Sequence, residues 1–120
     1  CYLRPDTRLP MMYMPDAIRA TLALMEAAPN ALSVRESYNL TAFSFSAEEL
    51  ATHLRERAAD GFSVSYAPDG RQAIADNWPA TIDDRAARAD WNWQPEYDLD
   101  AMTADMLAHL PKANTQPQHA

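Results

Sequence analysis

Glycine is nearly missing from this sequence: Gly61 and Gly70 are the two in 120 residues. A nucleotide-binding turn of the dinucleotide type needs several closely spaced glycines between a strand and a helix, so that the backbone can approach a phosphate. Two isolated glycines build no such cradle, and no residue is assigned to cofactor binding. Cysteine is scarcer still. Cys1 stands alone, which excludes a disulfide within the chain and any site made of several thiolates. His53, His109 and His119 lie far apart with no ligand spacing, so no metal site is expected. No apolar run approaches the ~20 residues of a membrane-spanning helix. Arg4, Pro5 and Asp6 stand where a secretory signal would have its apolar core. Basic charge is short too: ten Lys and Arg against seventeen Asp and Glu leave a net charge of -7. Such a chain is repelled by nucleic-acid phosphates and anionic lipid. The expectation is a cytoplasmic protein with no nucleic-acid and no membrane partner.

What is present suits one small domain with a single core, for 48% of the residues are hydrophobic. Leu9 to Met14, bracketed by Pro10 and Pro15, reads as an edge strand. Asp16 then reads as the N-cap of a helix with one buried face, made by Ala17, Ile18, Thr21, Leu22, Leu24 and Met25, ended by Pro29 and Asn30. Ser33 to Leu40 reads as the next strand. Ser46-Ala47-Glu48-Glu49 is a capping box, flanked by Phe45 and Leu50 as a hydrophobic staple, and opens a helix to about Ala59 that Asp60-Gly61 closes. Phe62 to Tyr66 alternates like a strand. Arg71 to Asn77 has room for one or two helical turns before Trp78-Pro79. Asp83 starts a short helix that stops before Trp91, and Asp98 caps a last one with Leu99, Met102, Met106, Leu107 and Leu110 at core spacing. Residues 111–120 are polar, without periodicity, and read as a disordered tail. The order gives an α/β arrangement of few strands with four or five helices.

Several stretches together resemble one family. Pro10-Met11-Met12-Tyr13-Met14-Pro15-Asp16-Ala17-Ile18 is similar to a strand-to-helix junction of the extended short-chain dehydrogenases, in the form found in L-threonine 3-dehydrogenases related to UDP-galactose 4-epimerase. Ser37-Tyr38-Asn39-Leu40-Thr41 and Phe43 to Leu50 resemble the segments that follow. Arg71-Gln72-Ala73-Ile74-Ala75-Asp76-Asn77-Trp78-Pro79 resembles the threonine-dehydrogenase form of a loop that meets a nucleotide-sugar in other members. Asp83-Asp84, Ala87-Arg88 and Asp90-Trp91-Asn92-Trp93 resemble the terminal signature of the superfamily. Two positions depart from the pattern: Asn77 where Ser is expected, and Asn92 where Gly is expected.

The resemblance spans about residues 1–110 and implies a C-terminal, substrate-side lobe of a larger Rossmann-type enzyme. It implies NAD as cofactor, L-threonine as substrate, 2-amino-3-oxobutanoate as product and a homo-oligomeric intact protein. It also implies that the NAD site and the catalytic groups lie on other polypeptide. The family's Tyr, with a Lys four residues later to lower its phenol pKa, has no counterpart here, because Ala108 precedes Lys112 by four. No residue of this chain is therefore assigned as catalytic. An opening Cys rather than Met fits a fragment, inactive by itself. By the resemblance Trp78 lines the substrate pocket, and Arg71 is the candidate for an anionic group. Against these stand Trp78 as a core anchor and Arg71 as a partner of Asp69 or Asp76. Two other readings stay open. A nucleotide-sugar epimerase or dehydratase lobe should carry Gly-Asp soon after the arginine, where this chain has Gln72-Ala73-Ile74. A free-standing interaction domain should lack the orphaned apolar face of a lobe cut from a larger enzyme.

Overall fold

The computed structural model describes residues 1–58 and 61–110. Its elements are β1 (Arg8–Met11), α1 (Met14–Glu26), β2 (Phe43–Ser46), α2 (Ala47–Arg57), α3 (Arg71–Ala75), α4 (Arg85–Trp91) and α5 (Leu99–His109). Five helices and one two-stranded sheet make a mixed α/β fold, as the sequence indicates. The tail read at 111–120 and the helix closure read at 59–60 lie outside the described residues.

β1 pairs with β2 antiparallel, with Arg8 opposite Ser46 and Met11 opposite Phe43. The strand read at Ser33–Leu40 is therefore displaced to Phe43–Ser46, and 33–42 is irregular. Asp90 anchors it at two points: its Oδ2 accepts from the Ser33 amide (2.8 Å), the Ser33 hydroxyl (2.6 Å) and the Tyr38 hydroxyl (2.6 Å). These contacts, and the Val34 amide donating to the Tyr38 hydroxyl (3.3 Å), hold the stretch as a loop against α4. The strand read at Phe62–Tyr66 also forms no sheet among the described residues, although Val64 and Tyr66 are half-buried and Ser65 is exposed, the alternation of a strand. It makes one step of a parallel ladder. The Cys1 backbone nitrogen donates to the Ser65 carbonyl (2.6 Å), and the Ala67 amide donates to the Cys1 carbonyl (2.8 Å).

α1 begins a turn earlier than its sequence signal. Pro15 sits in the first helical turn with Tyr13 as N-cap, where its fixed φ favours the helix and its missing N–H is no loss. Asp16 is consequently inside the helix and is not a cap. Its fully buried carboxylate accepts from the backbone amides of Glu96 (3.1 Å) and Tyr97 (3.0 Å) and from Arg19 (2.7 Å). Burial pushes this carboxyl up, but the Arg19 guanidinium and the two amides outweigh it and hold its pKa below the usual value. The capping box of α2 forms as read: Ser46 Oγ accepts from the Glu49 amide (3.2 Å), and Glu49 reaches back to the Ser46 amide (2.9 Å). Asp98 caps α5 through the Ala101 amide (2.8 Å).

α4 runs to Trp91 rather than stopping before it, and starts after Asp84. Asp83, read as a cap, accepts from the Arg85 amide (3.1 Å) and pairs with the Arg85 side chain, while Asp84 pairs with Arg88. Asn92 ends the helix in the left-handed region, at φ 56°, so here Asn takes the conformation that Gly takes more freely. This turn sends Trp93 into the core, where it is 1% exposed with Ala20 and Ala87, and Met12, Tyr38, Leu40 and Trp91 pack around it. His53 is half-buried and pairs with Asp100, which also takes Arg57; together they tie α2 to α5. No described helix is long and apolar enough to cross a membrane.

Candidate functional site

Two walls face each other across an open cavity of about 260 Å³. One wall is the opening segment, with Tyr2 and Leu3, backed by Leu9 of β1. The other is α3 and the turn after it, with Arg71, Ile74, Ala75 and Trp78. Positions 71, 74, 75 and 78 keep the spacing of one helical stripe, so the five-residue helix and the turns that follow it present all four side chains to one space. Trp78 follows at the end of tight turns, its amide donating to the Ala75 carbonyl (3.1 Å). Its ring is 59% exposed, so it is not a core anchor. Ile74 beside it is equally open.

Arg71 lies at the cavity mouth. Its guanidinium forms a fork on Asp69 (Nε to Oδ1 3.1 Å, Nη2 to Oδ2 2.7 Å), and the Arg71 amide donates to the same carboxylate (2.9 Å). These contacts hold the Asp69 carboxyl well down, at about 2, so at neutral pH the pair presents one fixed anion and one fixed cation. The other side of the guanidinium stacks on the Tyr2 ring, 3.5 Å from its centre, a cation–π contact. Asp76, the alternative partner for Arg71, is instead engaged by Arg4 (2.7 and 3.2 Å).

The structure thus brings the two residues singled out in the sequence, Arg71 and Trp78, onto one cavity. Sequence reasoning missed Tyr2, Leu3 and Leu9, the facing wall. No local signal marks them, because they meet α3 across more than sixty positions of chain. No group of three or more His, Cys, Asp or Glu able to hold a metal occurs among the described residues. Neither glycine forms a phosphate cradle: Gly61 and Gly70 have no atom near the place a Cβ would take, and Gly70 precedes a helix of only five residues. The residues present do not fit a dinucleotide.

No protein-family model matches the chain. It is 49% identical over 108 residues to a mitochondrial L-threonine 3-dehydrogenase of Bos taurus, covering 89% of this chain and 28% of that protein. It is 45% identical over 107 residues to an uncharacterised epimerase/dehydratase of Staphylococcus haemolyticus, covering 88% and 33%. Among solved structures, the GalE-like L-threonine dehydrogenase of Cupriavidus necator, in its apo form, superposes with a TM-score of 0.88 at 55% identity, over 92% of this chain and 40% of that one. The L-threonine dehydrogenase of Phytophthora infestans gives 0.84 at 48% identity, over 90% and 34%. The chain therefore spans between about a quarter and two-fifths of the length of these relatives.

Proposed function

Because this chain is a homologue of the L-threonine 3-dehydrogenases and epimerase/dehydratases it matches, we propose that it is the substrate-side lobe of an NAD-dependent L-threonine 3-dehydrogenase. The observation that carries the reading is the convergence of Arg71 and Trp78 on one cavity. L-threonine is a small zwitterion with one carboxylate, one ammonium and a short apolar end. Arg71 offers the carboxylate a guanidinium already held in place by Tyr2 and Asp69. The Asp69 carboxylate, ionised throughout the neutral range, keeps that guanidinium in place from outside the cavity lining. Trp78 covers the remaining face and keeps water out, which favours clean transfer of hydride.

In the whole enzyme the 3-hydroxyl of L-threonine becomes the ketone of 2-amino-3-oxobutanoate. NAD, held by polypeptide outside this chain, would supply the hydride acceptor for this oxidation, and a base on the same polypeptide would take the hydroxyl proton. Among the described residues no phosphate cradle is found that would seat NAD on this lobe. Two surfaces support the picture of a lobe that packs against more protein. Met14, Ile18, Leu22 and Met25 of α1 form an apolar stripe at helical spacing, each more than half exposed. These include Ile18, Leu22 and Met25, read from the sequence as buried; an exposed apolar stripe of this kind suits a surface covered in a larger structure, and it disfavours a free-standing interaction domain. The parallel step between Cys1 and Ser65–Ala67 leaves the 62–66 segment with little sheet pairing of its own among the described residues.

The epimerase/dehydratase relatives favour a second reading, a lobe that meets a nucleotide-sugar. Side-by-side assays of the full-length protein separate the two. NADH absorbance is followed with L-threonine, and epimerisation with UDP-hexoses. NADH formation from L-threonine, falling at least tenfold in kcat/KM in Trp78→Ala, is the expected result. Turnover of a UDP-hexose without any oxidation of L-threonine overturns the proposal.

A further inference from the structure

A five-residue helix cannot hold its own direction, because helix formation at that length is unfavourable in isolation. α3 has neither a side-chain cap at Gly70 nor an acidic residue in its first turn. Something outside the helix must aim Arg71 and Trp78. Gln72 and Asp76, one turn apart, form the flank of α3 turned away from the cavity. Gln72 is only 7% exposed, unusual for a glutamine on a short surface helix. Its side-chain amide is fully engaged. Oε1 accepts from the Arg4 backbone amide (2.7 Å), and Nε2 donates to Thr7 Oγ1 (2.9 Å) and to Asp76 Oδ1 (2.7 Å). Arg4 and Thr7 belong to the opening segment, the facing wall of the cavity. One buried side chain therefore bolts both walls together from behind.

We propose that Gln72 is a positioning residue that sets the separation of the two cavity walls, and through it the placement of Arg71 and Trp78 on the substrate. The inference rests on the reading of this cavity as the threonine wall. Gln72 is not among the residues that line the cavity, so its effect passes through the walls. Loss of the bolt loosens ground-state and transition-state binding alike. KM rises and kcat holds.

The test uses the full-length protein with Gln72→Met, which keeps the length of the side chain and removes its donors and acceptor. The expected result is a KM for L-threonine raised about 5- to 10-fold, the size of one or two lost hydrogen bonds, with kcat within about twofold of wild type. Thr7→Val removes one bond of the same network from the other wall and should raise KM by about 3-fold; it stands in if Gln72→Met does not fold. Amide exchange at Asp76, Asn77 and Trp78 gives a readout independent of turnover and should quicken at least tenfold in either variant. Wild-type KM in a folded variant overturns the inference, as does an unchanged exchange rate at those amides. If the wild-type protein does not oxidise L-threonine at all, the functional reading fails by itself, and the exchange measurement still decides whether Gln72 holds α3.

Discussion

Replacing Asp16 with Ala should release the C-terminal segment from α1, and the size of the effect follows from its contacts. The carboxylate is wholly buried and accepts from two backbone amides eighty residues away, Glu96 and Tyr97. A hydrogen bond to a buried charged group contributes about 1.5–3 kcal/mol, and its loss leaves an amide unsatisfied. Arg19 adds little to the loss, since it retains the Gln94 carbonyl and its place over the Trp93 ring. Two amides together give about 3–5 kcal/mol, the range for removing one side of a buried ion pair. Read by hydrogen exchange on the full-length protein, that is between about a hundredfold and a few thousandfold faster exchange over residues 96–109. α1 itself should change much less. Asp16→Asn keeps one acceptor and should fall between. Because the folded-state pKa of Asp16 is lowered, its contribution is present at neutral pH and is lost as pH falls through that lowered value. Exchange in Asp16→Ala within threefold of wild type across residues 96–109 would refute the reasoning.

Ser46→Ala removes one half of the capping box and should destabilise α2 by about 1 kcal/mol, seen as faster exchange of the Glu48 and Glu49 amides; no change there would mean the cap is redundant. The Asp69 carboxyl carbon, followed by NMR, should titrate near 2 and move to about 4 in Arg71→Leu, the value of an unpartnered aspartate. A midpoint near 4 in the wild type would show that the fork on Arg71 does not persist in solution. The same lowered value predicts that any activity profile of the whole enzyme above about pH 5 owes nothing to Asp69, since the group is fully ionised there.

The parts of the fold that were legible in the sequence are those governed by neighbours within one or two turns. The Ser46–Glu49 box and the Asp98 cap each involve residues three apart, and both form as read. The last helix forms where it was read, although Met106 and Leu110, read as core, are exposed, and the strand read at Leu9–Met14 forms as Arg8–Met11 because Met14 and Pro15 enter α1. What was misread depends on distant partners. Ser33–Leu40 has strand-like residues, but Asp90, more than fifty positions on, pins Ser33 and Tyr38 in a loop. Phe62–Tyr66 has the alternation of a strand and only one ladder step to pair with. Asp16 looked like a cap because a carboxylate after proline usually is one, whereas its two amide donors lie far downstream. The cavity shows the same division. Arg71 and Trp78 share a stripe readable from their spacing, while Tyr2 and the Gln72 bolt are visible only once the chain has folded. One signal for the bolt was available: Gln72 and Asp76 stand four apart on a flank that the exposed stripe does not use.

The account stands or falls on where the chemistry resides. NAD reduction by L-threonine should be measured in parallel for the 120-residue chain alone and for the full-length protein. Turnover by the full-length protein and none by the 120 residues is the predicted result. NADH formed by the 120 residues alone would contradict the claim that this lobe shapes the pocket while the reactive groups lie elsewhere.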